Sequence, residues 1–383
     1  MATSLEQNLS REKIFAASLE FFLDPIKPYL QDDTVTEIMV NGHDEIYIER
    51  RGQLEETNAR FESADTLLSA VHNIAQYVGR EIDELRPVLD ARLPNGSRVH
   101  AVIPPSARRG TYLTIRKFSK ERLTLDDLLE FGSISEAAKE FLEVCIRLRK
   151  NIIVSGGTGT GKTSLLNALS KAIPDEERVV VIEDSSELKL TQKHCLYLEA
   201  QQGDSKGRGK LTIRQLFVAS LRMRPDRILV GEVRGGEALD MIQSMLSGHS
   251  GSLTTVHANS ARDALIRLET LSLMSDVTIP IYVARAQVAS AIDLIVQIAR
   301  FSEDGSRKIV AISEVQGLRE NEYQLQDLFV SRRTGVSRLG KVITELEPTG
   351  IQPTFAREAY EHGLERLVHF SAPLWDLKPG ARS

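Results

Sequence analysis

From Asp24 to Phe118 the apolar residues come in short alternating runs. Glu37-Ile38-Met39-Val40, Glu45-Ile46-Tyr47-Ile48, Arg98-Val99-His100-Ala101-Val102-Ile103 and Tyr112-Leu113-Thr114-Ile115-Arg116 each switch between apolar and polar positions, the period of a half-buried strand. Asn41-Gly42 and Asn95-Gly96 punctuate them, and Asn-Gly between apolar runs predicts tight hairpins because both residues tolerate the left-handed backbone. Between these hairpins, Leu67, Leu68, Val71, Ile74, Ala75 and Val78 recur at helical spacing within the stretch Ala64 to Val78. Strands in one run with a single helix predict an α+β domain.

Further along, Ser133 and Glu136 have capping-box spacing, and Ala137, Phe141, Val144, Cys145 and Leu148 then form one helical stripe. From Asn151 the texture changes. Apolar runs at Ile152–Val154, Val179–Ile182, Ile228–Val230 and Leu253–Val256 alternate with helix-compatible stretches, which predicts a mostly parallel sheet between helices. The most apolar long window, Thr278 to Ala299, carries Arg285, Gln287, Asp293 and Gln297. A bilayer would penalise those side chains, so the window reads as one or two helices outside a membrane. Beyond about Leu328 the chain is polar with Gly and Pro at intervals, which reads as a small appendage. The division expected is a helical extension over 1–23, the α+β domain over 24–120, a linker and connecting helix over 121–150, an α/β domain over 151–330 and a tail over 331–383.

Composition narrows the choices without adding a site. The 383 residues are 42% hydrophobic, and Lys plus Arg at 48 against Asp plus Glu at 53 gives a net charge of −5, which excludes a predominantly disordered chain and argues against a nucleic-acid coat. Cys145 and Cys195 are the only cysteines, so neither a disulfide framework nor a four-cysteine zinc site is available. The N-terminus lacks a basic segment followed by an apolar stretch of signal-peptide length, so no export is expected.

The chemistry is concentrated after residue 155. Gly156-Gly157-Thr158-Gly159-Thr160-Gly161-Lys162-Thr163, followed by Ser164, fits GxxxxGK[ST] and lies between a predicted strand and a predicted helix. Glycines let consecutive backbone N–H groups converge on phosphate oxygens, and the helix start adds its positive dipole end. Lys162 can offset charge on β/γ-phosphate oxygens, and the Thr163 hydroxyl can ligate Mg²⁺.

Hydrolysis also needs a metal holder and an acceptor for the proton of the attacking water. The strand-like run Arg227-Ile228-Leu229-Val230 ends in Gly231-Glu232, and Val179-Val180-Val181-Ile182 ends in Glu183-Asp184-Ser185-Ser186-Glu187. Parallel strands bring such ends to the edge where the phosphate loop lies. His249 and His257 flank a third run, Leu253–Val256, as possible nucleotide sensors. Basic residues gather at Arg98, Arg108, Arg109, Arg116, Lys117, Lys120 and Arg122, and again at Arg222, Arg224, Arg227 and Arg234. These serve either as ion-paired surface or as arginines that offset phosphate charge.

In order along the chain, VTEIMVNG, DARLPNGSRVHAVIPP, SGGTGTGKTSLLNAL, VIEDSSELKL, LRMRPDRILVGEVRGGEALDM and GHSGSLTTVHANS resemble the secretion ATPases of the type II/IV superfamily, and most closely the Tad/Flp-type pilus assembly ATPases. The resemblance spans roughly residues 24–330. It implies a PAS-like N-terminal domain, a RecA-like P-loop ATPase domain, a homo-hexamer using ATP and Mg²⁺, and polytopic inner-membrane platform proteins as partners. Such a protein would be cytoplasmic and peripheral at the inner membrane through those partners, with no direct nucleic-acid contact. By the same resemblance Lys162 and Thr163 take Walker A roles, and Glu232 is the atypical Walker B acid that holds Mg²⁺ through water. Glu187 polarises the attacking water, His249 and His257 belong to a His box, and Arg98 and Arg116 reach the phosphates, with Arg92 nearby. Two departures stand out: there is no tetracysteine zinc module, and EDSSE lacks the proline common after the Asp. A nucleotide-gated switch with little turnover and a conjugation-type type IV secretion ATPase remain the alternatives. A RecA-like DNA motor is disfavoured by the net charge and by the lack of a basic stripe with interleaved aromatics.

Overall fold

The computed structural model describes residues 18–19, 21–118, 123–203, 208–337 and 340–378. Most of the expected extension over 1–23, together with Lys120 and Arg122, lies outside the described residues. Two compact units divide the chain near residue 121.

The first unit holds six strands, β1 (Val35–Val40), β2 (Ile46–Arg50), β3 (Gln53–Glu56), β4 (Val88–Arg92), β5 (Arg98–Val102) and β6 (Tyr112–Arg116). They form one antiparallel sheet in the order β3-β2-β1-β6-β5-β4. Both Asn-Gly pairs are hairpin turns, joining β1 to β2 and β4 to β5. The helix Ala64–Tyr77 starts at Ser63, whose side chain accepts the N–H of Thr66. It buries Leu67, Val71 and Ile74 with Ile38, Ile48, Val99 and Ile115 from one face of the sheet. The alternation of the sequence is therefore an α+β layer pair with one apolar sheet face.

The second unit holds β7 (Ile152–Gly156), β8 (Val179–Glu183), β9 (Cys195–Glu199), the short β10 (Gln201–Gln202) and β11 (Lys210–Leu211), β12 (Arg227–Val230), β13 (Leu253–His257), β14 (Leu294–Arg300), β15 (Arg307–Arg319), β16 (Glu322–Val336) and β17 (Val342–Pro348). Nine of them make one sheet in the order β17-β16-β15-β14-β7-β13-β12-β8-β9. Neighbours from β14 to β9 are parallel, and β14 to β17 pair antiparallel. Helices cover both faces of the parallel part. Ile152 and Val154 of β7 enter one core and Ile153 the other, which is why its strands read as continuous apolar runs. This is the RecA-like arrangement.

Three local expectations change. The helix Glu136–Arg147 is capped by Ser135, which accepts the N–H of Ala138, while Ser133 Oγ donates to the Arg307 carbonyl 2.7 Å away. Ser133 is thus tied to β15 and is not available as a cap. The window 278–299 is one helix, Ile281–Ala291, and then β14. Asp293 marks the change, its carboxylate accepting the N–H of Asn151 at 2.7 Å and setting Leu294-Ile295-Val296 alongside β7. The polar tail is no loose appendage. β16 runs through residue 330, and Phe355 and Trp375 pack around Phe141. An edge strand with one wet face reads as polar in sequence. Among the described residues, no helix is long and apolar enough to cross a membrane.

Candidate functional site

Parallel pairing of β7, β13, β12 and β8 brings residues 156–163, 257, 231–234 and 183–187 to one edge of the sheet. At the first position the chain leaves β7 and turns back into the helix Lys162–Ser170 through Gly159 and Gly161, with φ of +70° and +91°. Gly161 is the N-cap and offers no side chain, so the helix start has no side-chain cap. A helix start without a side-chain cap, with its positive dipole end facing the loop, suits a polyphosphate. Thr160 Oγ donates to the Gly157 carbonyl at 2.9 Å, and Lys162 Nζ donates to the same carbonyl at 2.8 Å. Thr163 is half-buried and Ser164 exposed at the helix start, Gly156 closes β7, and Thr158 is exposed at the loop tip.

A line of polar contacts crosses the strand ends from there. Lys162 Nζ is 3.3 Å from both ring nitrogens of His257, and His257 Nε2 is 3.0 Å from Glu232. Arg234 donates to the other Glu232 oxygen at 2.7 Å and reaches Asp184 at 3.5 Å. Burial and then the Lys162 charge push the His257 imidazole below its ordinary value, against the opposing pull of Glu232.

The acids after β8 divide their work. Glu183 is buried, and its Oε1 accepts the N–H groups of Glu187 at 2.9 Å and Leu188 at 3.0 Å. It is an anchor for the loop that carries Glu187. A Cβ on Gly231 would lie 2.9 Å from Glu183 Cγ, so the glycine before Glu232 is required by close packing. Asn167 of the phosphate-loop helix accepts the N–H of Lys189 at 2.9 Å, tying the acidic loop to that helix.

Other sequence candidates fall elsewhere. His249 lies before β13 and His257 at its carboxyl end, so the two histidines sit at opposite ends of one strand and only His257 joins the phosphate loop. Arg227 has no exposed side chain. It pairs with Glu177 and donates to the carbonyl of Ile146, which is a structural use. In the first unit, Arg92 stands opposite Arg98, Arg98 opposite Arg116 and Arg116 opposite Glu37. Like charges directly opposite disfavour a sheet, and this row places three arginine positions in register on the face away from the apolar core. The sequence reading did not single out Arg300 and Arg307, although Arg307 Nε donates to the Gly159 carbonyl at 2.9 Å.

A family model described as "Type II/IV secretion system protein" matches residues 22–349. The type IV secretion system protein PtlH of Bordetella pertussis is 36% identical over 322 residues, covering 77% of this chain and 94% of that protein. The type IV secretion system protein VirB11 of Brucella suis is 34% identical over 327 residues, covering 78% and 90%. Among solved structures, the pilus retraction motor PilT with bound ADP shares the fold, at 18% identity over 81% and 82% of the two chains and a TM-score of 0.53.

Proposed function

The chain belongs to the type II/IV secretion system protein family and is an ATPase of that family, and from this premise we propose a Mg²⁺-dependent, hexameric motor for a type IV-class secretion or pilus-assembly machine. The observation that carries the reading is the unbroken line Lys162–His257–Glu232–Arg234, which links the phosphate loop to the second acidic strand. A binding loop alone would not need that link.

In this reading the backbone N–H groups of 157–163 and the Lys162 ammonium hold the β- and γ-phosphates of ATP. Among the described residues no cluster of three or more His, Cys, Asp or Glu could hold an ion alone. Thr163 and, through water, Glu232 would hold Mg²⁺ in the usual manner of few protein ligands plus phosphate oxygens. When bound, that ion offsets the charge developing on the phosphoryl oxygens. Glu187 accepts the proton of the attacking water, and Glu183 fixes where Glu187 stands. His257 lies between Lys162 and Glu232 and so feels both the phosphate end and the metal end. Arg98 and Arg116 are proposed as additional phosphate cations on the family resemblance.

Two pathway readings share this chemistry. The Tad/Flp pilus reading rests on the motifs. The type IV secretion reading is favoured by relatives at 34% and 36% identity that carry that name. Either one places the protein in the cytoplasm against polytopic inner-membrane partners.

Steady-state turnover and nucleotide affinity of two variants test the site. Glu187→Gln should bind ATP within about threefold of wild type and lose about 10²–10⁴-fold in turnover, the range for a removed general base. Lys162→Ala should lose both. Wild-type turnover in Lys162→Ala would remove the assignment.

A further inference from the structure

The phosphate loop has a wall that its motif does not mention. β14 runs parallel to β7, with Val296 beside Val154 and Gln297 beside Ser155, and β15 pairs back so that Arg300 faces Arg307. Three loop glycines meet this hairpin in turn. A Cβ on Gly156 would lie 2.6 Å from the Ile298 carbonyl oxygen, one on Gly159 would lie 3.5 Å from an Arg300 guanidinium nitrogen, and one on Gly161 would lie 3.2 Å from Arg307 Cδ.

Arg307 also donates from Nε to the Gly159 carbonyl at 2.9 Å. In a trans peptide the C=O and the following N–H point to opposite sides. With its Gly159 carbonyl held by Arg307, that peptide therefore turns the Thr160 N–H to the opposite side, away from Arg307. Ser133 Oγ and the backbone of Ile309 fasten this end of β15 in place, through the Arg307 carbonyl at 2.7 Å and the Ser133 carbonyl at 2.9 Å.

We propose that Arg307 is a positioning residue for the nucleotide loop and that Arg300, its cross-strand partner, supplies a further cation for the polyphosphate at the loop apex. The proposal rests on the nucleotide-site reading above. It assigns to β14–β15 a role in affinity for ATP and ADP alike, since the apex amide and the guanidinium act on phosphates common to both.

The test uses the full chain with a fluorescent ADP analogue and ATP competition. Variants are Arg307→Met, which keeps the stem against Gly161 and removes the donor, Arg300→Met, Arg300→Lys, and Lys162→Ala as the control. Arg300→Met should weaken ADP and ATP about tenfold, the effect of one lost hydrogen bond to a charged group, and Arg307→Met should weaken both by a similar factor because the loop amide is no longer held in position. Arg300→Lys should recover most of the affinity, because the charge is retained. Ligand-free melting temperatures identify the temperature at which every variant is folded, and affinities are read there. If both Met variants bind as wild type while Lys162→Ala does not, the hairpin proposal fails and the site stands. If Lys162→Ala also binds as wild type, the nucleotide-site reading itself fails.

Discussion

His257 Nε2 stands 3.0 Å from Glu232 Oε1, and the same ring lies 3.3 Å from the Lys162 ammonium. With its pKa held below the ordinary 6.5, chiefly by burial and then by Lys162, the imidazole is neutral near neutral pH. In that form Nε2–H donates to Glu232 while Nδ1 accepts from Lys162. The ring separates the phosphate-binding cation from the acid proposed for the metal.

Acid should disturb this arrangement first. A lowered folded pKa means that the unfolded chain takes the proton before the folded one does. Stability is therefore unaffected above about 6.5 and declines as pH falls through that value. Thermal melts between about pH 7.5 and pH 5.5 should show a steeper fall for wild type than for His257→Gln. Parallel slopes would assign the acid limb to other groups.

Gly231→Ala should act at a distance from the phosphates. The new methyl would press on Glu183, which holds the Glu187 and Leu188 amides. Turnover is expected to drop by about tenfold or more, as for a displaced catalytic group, with ATP affinity nearly unchanged. Loss of affinity with turnover per bound ATP intact would show that the Glu183 loop serves binding.

Much of this was legible in the sequence, for physical reasons. Strand alternation reveals a sheet with one wet face, so β1, β2, β5 and β6 were readable, and continuous apolar runs reveal a doubly covered sheet, so β7, β8, β12 and β13 were readable. The phosphate loop was readable because its residue types are fixed by local backbone needs. Contacts between segments distant in sequence were not. Arg307 meets Gly159 across 148 positions, and no period or motif in either segment signals it. β14 was hidden because Leu294-Ile295-Val296 follows a helix of similar hydropathy. That His249 and His257 flank one strand is plain in the sequence, but only the parallel order of the sheet shows that the His257 end meets the phosphate loop.

The C-terminal segment should be an integral part of the second unit. Glu140 is buried, and its carboxylate accepts the N–H groups of His369, Phe370 and Ser371 and the Ser371 hydroxyl. Although burial pushes the carboxyl upward, these hydrogen bonds hold it below its ordinary 4.5. Their contribution is thus present above about pH 4.5 and lost below it. Glu140→Ala should cost about 2–4 kcal/mol in urea unfolding at neutral pH, because buried donors lose their acceptor. An unchanged midpoint would show that the apolar packing of Phe355 and Trp375 and the Lys150–Glu358 pair hold the segment without the Glu140 hydrogen bonds.

If hydrolysis depends on assembly, turnover per subunit across a dilution series, with particle mass measured in the same samples, follows the state of the ring. Specific activity should rise with the hexamer fraction and fall to near zero in Lys162→Ala at every concentration. Full turnover per subunit in samples whose mass is that of a monomer would show that hydrolysis needs no assembly.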